Sequence, residues 1–224
     1  MNKINYDLEM QKIIDGFSAD ERPSLLLHSC CAPCSTYCLE YLTKYFDVTV
    51  FYFNPNITDQ EEYFLRAKEQ QKYLDNVYKG SVKYVEGRYN SQEFFDMAKG
   101  LEDVPEGGKR CFLCYTLRLK ETASVAKENG FDYFTSTLSI SPYKNSQWLN
   151  EIGFSLEKQL GQKYLPVDFK KNNGYKRSTE LSNEYGIYRQ DYCGCTFSKE
   201  ETEKRRKERA KESSISISIS MHNP

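Results

Sequence analysis

Short apolar runs alternate with longer amphipathic ones along most of this chain, and that alternation commits it to a parallel sheet with crossover helices on both faces. Strands are predicted over 24–29, 48–53, 82–85, 131–138 and 163–167. Helices are predicted from the Pro33 loop to about residue 44, then over 60–76, 92–101, 113–128 and 146–160. In the second of these Tyr63, Ala67, Gln70 and Leu74 share one face, and Gly130 stands where a helix-ending glycine is expected. A length of 224 residues suits one substantial domain. The expected organisation is an N-terminal helical extension over 1–22, an α/β unit over 23–198, and a charged helix with a flexible tail over 199–224. No internal repeat is present.

Charge and composition narrow the class. Lys and Arg total 31 against 32 Asp and Glu, so the net charge of −1 supplies no global field toward a polyanion, although a local basic face is compatible with it. Hydrophobic residues are 39% and aromatic residues 14% of the chain, enough large side chains for a packed core. The apolar stretches are short, as in Leu25-Leu26-Leu27, and the first segment carries Asp7, Glu9, Asp15, Asp20 and Glu21. A signal peptide, a membrane span and a wholly disordered chain are therefore not expected.

Eight cysteines fall into tight groups: Cys30, Cys31, Cys34 and Cys38, then Cys111 and Cys114, then Cys193 and Cys195. In a chain this long, such grouping reads as thiols converging on one site in a reducing, cytoplasmic compartment, not as a disulfide framework. Thiolates are soft ligands that suit an iron-sulfur cluster or zinc, and directly adjacent cysteines fit a cluster better than a zinc knuckle. Plain buried thiols are the remaining reading. Cys193-Gly194-Cys195 is a separate device: the glycine lets two thiols meet as a strained, reducible disulfide or pinch one metal, unless both are ordinary cluster ligands.

Ligands in open parallel sheets bind beyond the carboxyl ends of the strands. The loop after the first predicted strand carries Cys30, Cys31 and Cys34, the next carries Asn54 and Asn56, and the one after the fourth carries Ser139, Ser141 and Lys144. One rim should hold all three. Arg66, Arg110, Arg118, Lys176 and Arg177 are further cations near it that could hold phosphates, though surface solvation explains any one of them. His28, inside a predicted buried strand, reads more simply as a hydrogen-bonded core group than as an acid or ligand. The mixed-sign run over 198–212 reads as a solvated helix in preference to an RNA contact, and the Ser-Ile alternation over 214–220 as a frayed tail.

Six stretches carry a resemblance. LLLHSCCAPCS at 25–35, FNPNI at 53–57 with EYFLR at 62–66, RCFLCYTLRL at 110–119, FTSTLSISPYKN at 134–145, DFKKNNGYKRS at 168–178 and YRQDYCGCTFS at 188–198 resemble the epoxyqueuosine reductase QueH family. The resemblance implies a Rossmann-like fold of the adenine nucleotide α-hydrolase-like type, in which CCAPCS stands where the pyrophosphate loop would be. It implies reduction of epoxyqueuosine in tRNA to queuosine, with a [4Fe-4S] cluster in place of cobalamin. Carried over by position, Cys30, Cys31, Cys111 and Cys114 are the implied cluster ligands, and Cys193 and Cys195 a redox-active pair or the thiolates of a second, mononuclear iron. Cys34 is a further ligand of that metal, and Cys38 a buried thiol.

Reducing an epoxide requires electrons at carbon and an acid or Lewis acid at oxygen. Asp191, Tyr192 or a reduced thiol are the proton sources considered; Asn54, Asn56, Arg66, Arg110 and Lys144 are the expected substrate contacts. The expected partners are tRNA, whose anticodon loop offers splayed bases, and an electron donor, with no membrane involved. Two alternatives stay open: an iron-sulfur tRNA-thiolating enzyme of the same fold, and a zinc-stabilised RNA-binding module. The absent glycine-rich nucleotide loop argues against the first.

Overall fold

The computed structural model describes residues 4–220, with side chains through Ala210. Residues 1–3 of the expected N-terminal extension and 221–224 of the tail lie outside the described residues.

Five strands, β1 (Ser24–His28), β2 (Asp47–Tyr52), β3 (Lys83–Glu86), β4 (Tyr133–Ser136) and β5 (Lys163–Tyr164), form one sheet in the order β3-β2-β1-β4-β5. Every pairing is parallel. The chain is thus an α/β, Rossmann-like protein, as its periodicity predicts. Alternation within β1 explains the two-sided core. Leu25 and Leu27 point into an apolar layer with Val48, Val50 and Leu39, whereas Leu26 points the other way, against Phe51, Phe134, Leu119 and Leu149. Burying each such leucine contributes roughly 1.5–3 kcal/mol.

The helices are α1 (Tyr6–Asp15), α2 (Ala32–Leu42), α3 (Gln60–Tyr78), α4 (Gln92–Ala98), α5 (Lys109–Glu128), α6 (Ser146–Leu160), α7 (Gly174–Glu184) and α8 (Thr196–Ser220). On one face α2 packs against α7, and on the other α5 packs against α6 and α4. Three boundaries differ from expectation in ways that matter. The N-terminal helix stops at Asp15, where Gly16 caps it, and does not run to Pro23. Helix α5 begins at Lys109 and not Leu113, so Cys111 sits on its first turn and not in a preceding loop, one turn before Cys114. The fourth strand ends at Ser136, and a 3-10 turn over Thr137–Ile140 takes the chain sideways. At the other end of the molecule, the backbone of α8 stays helical through Ser220, which carries the Ser-Ile alternation on a helix.

Register positions the site. His28 lies abreast of Phe51 on one side and of Ser136 on the other, so β1 and β4 end at the same level. The sheet order reverses between these two strands, which opens the crevice where such sheets take ligands.

Candidate metal centre and cleft

Cys31 is the N-cap of α2 and Cys34 its third residue, with Pro33 in the first turn. N-cap and N3 side chains adjoin in any helix start. Cys30 joins them from the loop, its amide directed at Thr137 Oγ1 at 3.4 Å and its Sγ 3.7 Å from that of Cys31. All three sulfurs lie within 4.8 Å of one another. None of the eight cysteines is disulfide-bonded. Hydrogen bonds from Cys31 and Cys34 hold the Cys30 thiol well below its ordinary pKa, helped by Arg118 and Thr137. The same sharing pushes Cys31 up to about 12 and Cys34 upward as well. One thiolate flanked by two thiols is a ready site for a soft cation.

The other four thiols form a second group. Cys111, Cys114, Cys193 and Cys195 line one small buried pocket beside Lys144 and Ser198. Burial raises Cys114 to about 11 and lifts Cys195 further from its ordinary range. Lys144 Nζ stands 2.9 Å from Cys193 Sγ and 3.5 Å from Glu106. Burial works against the Lys144 charge, but Cys193, Tyr115 and Glu106 outweigh it and hold its pKa high.

The 193–195 loop is placed from outside its own sequence. Gly194 O accepts from Thr58 N at 3.2 Å, Cys193 O from Arg66 Nη1 at 3.2 Å, and Cys193 N donates to Ser198 Oγ at 3.0 Å. Gly194 has φ +122°, and a Cβ there would come within 2.8 Å of Ile57 Cγ1, so glycine is required on both counts.

Arg118 lies between the two groups. It is 1% exposed, and burial opposes its charge, but Cys114, Cys30 and Cys193 together outweigh that cost. Its Nη2 donates to Asn54 Oδ1 at 2.5 Å while Nη1 has no hydrogen-bond acceptor, and Arg66 Nη2 is likewise unmatched. Buried guanidinium groups aimed at thiols need anions beside them, and metal-bound thiolates supply anionic charge without taking up protons. The donor set and these unmatched donors fit a soft metal centre.

Between the strand ends and α8 runs a cleft of about 510 Å³, within the range for a small-ligand site. Cys30, Cys34 and Cys193 open onto it, together with Arg66, Arg118 and Lys144. Cys193 therefore faces both spaces. Asp191 and Tyr192 also line the cleft; Asp191 pairs with Arg206, and the Tyr192 ring lies 5.1 Å from Arg66.

Several expected contacts are elsewhere. Asn54 is 1% exposed and tied to Ser29 O and Arg118, and Asn56 faces the small pocket; neither lines the cleft. Arg110 is buried under Phe197 at 4.3 Å and donates to the carbonyls of Leu101 and Glu102, a clamp between α5 and α8. Lys176 and Arg177 pair with Glu180 and Glu40 on α7 and α2. Cys38 is a core thiol donating to Cys34 O. His28 sits 2.8 Å from Ser136 Oγ and 3.0 Å from Phe53 O, and burial with Arg118 lowers it to about 3, so it is a neutral structural ring.

Sequence reasoning missed the α8 arginines. Arg205, Arg206 and Arg209 face the cleft, with Arg205 3.8 Å from Glu106, so this part of the charge run is not simply a solvated face. Its signal was spacing, since Thr202, Arg205, Arg206 and Arg209 recur at one helical period.

Among the described residues no helix is long and apolar enough to cross a membrane. The family model described as epoxyqueuosine reductase QueH matches residues 25–201, a span holding all eight cysteines. A protein of that name from Staphylococcus epidermidis is 51% identical over 201 residues, covering 87% of this chain and 84% of the relative. One from Streptococcus pyogenes is 50% identical over 199 residues, covering 87% and 78%. One from Thermotoga maritima is 37% identical over 181 residues, covering 78% and 90%. These matches give no support to the thiolating-enzyme or zinc-module alternatives, and their extent is decisive: the chain belongs to the epoxyqueuosine reductase QueH family, a family of oxidoreductases.

Proposed function

We propose that this chain is a cytoplasmic, cobalamin-independent reductase that converts epoxyqueuosine in tRNA to queuosine. The observation that carries the reading is the convergence of Cys30, Cys34 and Cys193 on one cationic cleft. Two electrons and two protons enter, two carbon–oxygen bonds of the epoxide are broken, a carbon–carbon double bond forms, and the oxygen leaves as water. The electrons come from a donor protein or a small reductant.

Cys30, Cys31, Cys111 and Cys114 would hold a [4Fe-4S] cluster, and Cys193 and Cys195, with Cys34, a second mononuclear iron; failing that iron, the 193–195 pair cycles between dithiol and disulfide. When bound, the cluster supplies single-electron transfer and the second iron Lewis acidity. Everything else falls to side chains. Arg118 and Arg66 offset the negative charge of the thiolates. Lys144 Nζ, held protonated by Cys193, Tyr115 and Glu106, donates to Cys193 Sγ at 2.9 Å. Tyr192, its phenol pKa raised by burial and Glu62, remains protonated at neutral pH and is the better of the two proton donors, since the Asp191 carboxylate is engaged by Arg206.

The test is anaerobic purification with iron, sulfide and zinc analysis, followed by nucleoside mass spectrometry of tRNA incubated with protein and a chemical reductant, without ATP or cobalamin. Brown protein containing iron and sulfide that produces queuosine is expected. A colourless zinc protein, or strict ATP dependence, overturns the reading.

A further inference from the structure

The cleft is strongly cationic in a protein that carries a net charge of −1. Seven of its lining side chains are Arg or Lys and two are carboxylates. Three of the seven, Arg205, Arg206 and Arg209, come from α8 beyond residue 201, where the family match ends. The helix sorts its charges by face. Thr202, Arg205, Arg206 and Arg209 fall at i, i+3, i+4 and i+7 and look into the cleft, while Glu200, Glu203, Lys204, Lys207 and Glu208 lie together on another face. The mixed-sign run therefore turns a stripe of three arginines toward the cleft and keeps a mixed set of Glu and Lys on another face.

The same cleft is lined by two aromatic rings, Tyr143 at 72% and Tyr175 at 40% exposure, large values for tyrosines in such a place. A groove lined by cations and open rings is the arrangement that holds a single-stranded nucleic acid, with phosphates on the cations and bases stacked on the rings. The two carboxylates are already engaged from α8: Asp191 pairs with Arg206 and Glu106 lies 3.8 Å from Arg205. They hold the stripe across the mouth in the absence of a polyanion.

We propose that the Arg205, Arg206 and Arg209 face of α8 is an RNA-backbone clamp, which exchanges its carboxylate partners for phosphates flanking the target nucleotide of the anticodon loop. This rests on the reading of the substrate as tRNA, and deepens it by assigning the grip on the loop to a segment outside the family match.

The test measures affinity for an anticodon stem-loop RNA as a function of salt. The double variant Arg206→Gln with Arg209→Gln should bind about tenfold more weakly, with a log K against log salt slope reduced by about 1.4, the value for two lost single-strand phosphate contacts. Lys204→Gln with Lys207→Gln removes the same charge from the other face and should change affinity less than about twofold. Asp191→Asn separates a clamp from a mere tether: freeing Arg206 for phosphate should tighten binding about two- to threefold, whereas a tether would loosen and weaken it. Equal losses in both double variants, no loss in the arginine variant, or weaker binding by Asp191→Asn each overturn the proposal. Wild-type protein that binds the stem-loop without reducing epoxyqueuosine would overturn the reductase reading and leave the clamp standing. Reduction by wild type, with undiminished binding by the arginine variant, would overturn the clamp alone.

Discussion

The two thiol groups are built by different means. Cys31 and Cys34 meet because a helix start puts its N-cap and N3 side chains together, and Cys30 is one residue away. Cys114 and Cys195 share an apolar cluster with Phe94 and Ala98, although β4, α6, β5 and α7 all lie between them in the chain. The first group is local geometry; the second is tertiary, held by Thr58, Arg66 and Ser198 on the 193–195 loop and by the Arg110 clamp on α8. A local group keeps its shape when a distant contact is lost, whereas an assembled one changes with every contact that places it. A cluster that takes ligands from both groups depends on the contacts that place the second as well as on the local geometry of the first.

The largest expected effect tests whether the groups share a metal. If one cluster draws ligands from both, Cys31→Ala and Cys114→Ala should each remove its iron and visible absorption. Each should also lower queuosine formation by more than about a hundredfold, the upper range for losing even an outer-shell partner of a metal. Iron analysis and nucleoside mass spectrometry give the readouts. Retention of full iron by Cys114→Ala would confine the metal to Cys30, Cys31 and Cys34, and the comparison would become one between a metal site and a thiol pocket.

Next in size is the division of labour. Cys193→Ser or Cys195→Ser should keep the iron-sulfur absorption while conversion falls to about a hundredth or less, because a hydroxyl is a far poorer ligand and nucleophile than a thiolate at neutral pH. Full queuosine from either variant makes the pair dispensable. Loss of cluster iron makes these cysteines ligands and releases two of the other four.

Smaller again is an effect on placement alone. Gly194→Ala forces a side chain onto φ +122° and against Ile57, at a cost of about 1–3 kcal/mol. Shifting Cys193 and Cys195 should lower activity about tenfold with iron retained. Gly130→Ala also sits at positive φ but in open space, and should lower the unfolding midpoint without touching turnover. Equal activity losses in the two would mean that the 193–195 loop is not held as tightly as its contacts suggest.

How much of this the sequence discloses follows the same divide. The sheet was legible because β1 and β2 are apolar on both faces and each crossover helix has a clear period; Leu25, Leu26 and Leu27 could sit nowhere else. The Cys30, Cys31 and Cys34 group was legible from spacing. The start of α5 was not, because Gly107-Gly108 looks like a turn, yet Gly108 serves as the N-cap, which puts Cys111 on the helix. Asn54 looked like a rim residue and is instead bound to Arg118, a partner that only the folded chain supplies. The arginine face of α8 was hidden by its neighbours: counted in one dimension, the run is balanced, and only its winding gathers three arginines on one face.

The smallest effect concerns the opposite, amino-terminal end of the strands and serves as a reference for both thiol groups. Asp132, just before β4, accepts from Ser24 N at 2.8 Å and Ser24 Oγ at 2.7 Å, while Ser24 Oγ accepts from Asp132 N at 2.9 Å, which fastens β1 to β4 away from the cleft. These Ser24 hydrogen bonds hold the Asp132 carboxyl below its usual value of 3.8. A carboxylate with a depressed folded pKa contributes stability that is fully present above the unfolded value and is lost as pH falls through the folded one. The pair is solvent-exposed, so Asp132→Asn should cost only about 0.5–1 kcal/mol at pH 7. In urea titrations, the gap between variant and wild type should close as pH is lowered below 4. Iron content and queuosine formation should not move, since no cleft residue touches this box. A variant that lost iron would show that strand pairing at the far end is felt by the Cys30 loop, and the independence claimed for the local group would fail.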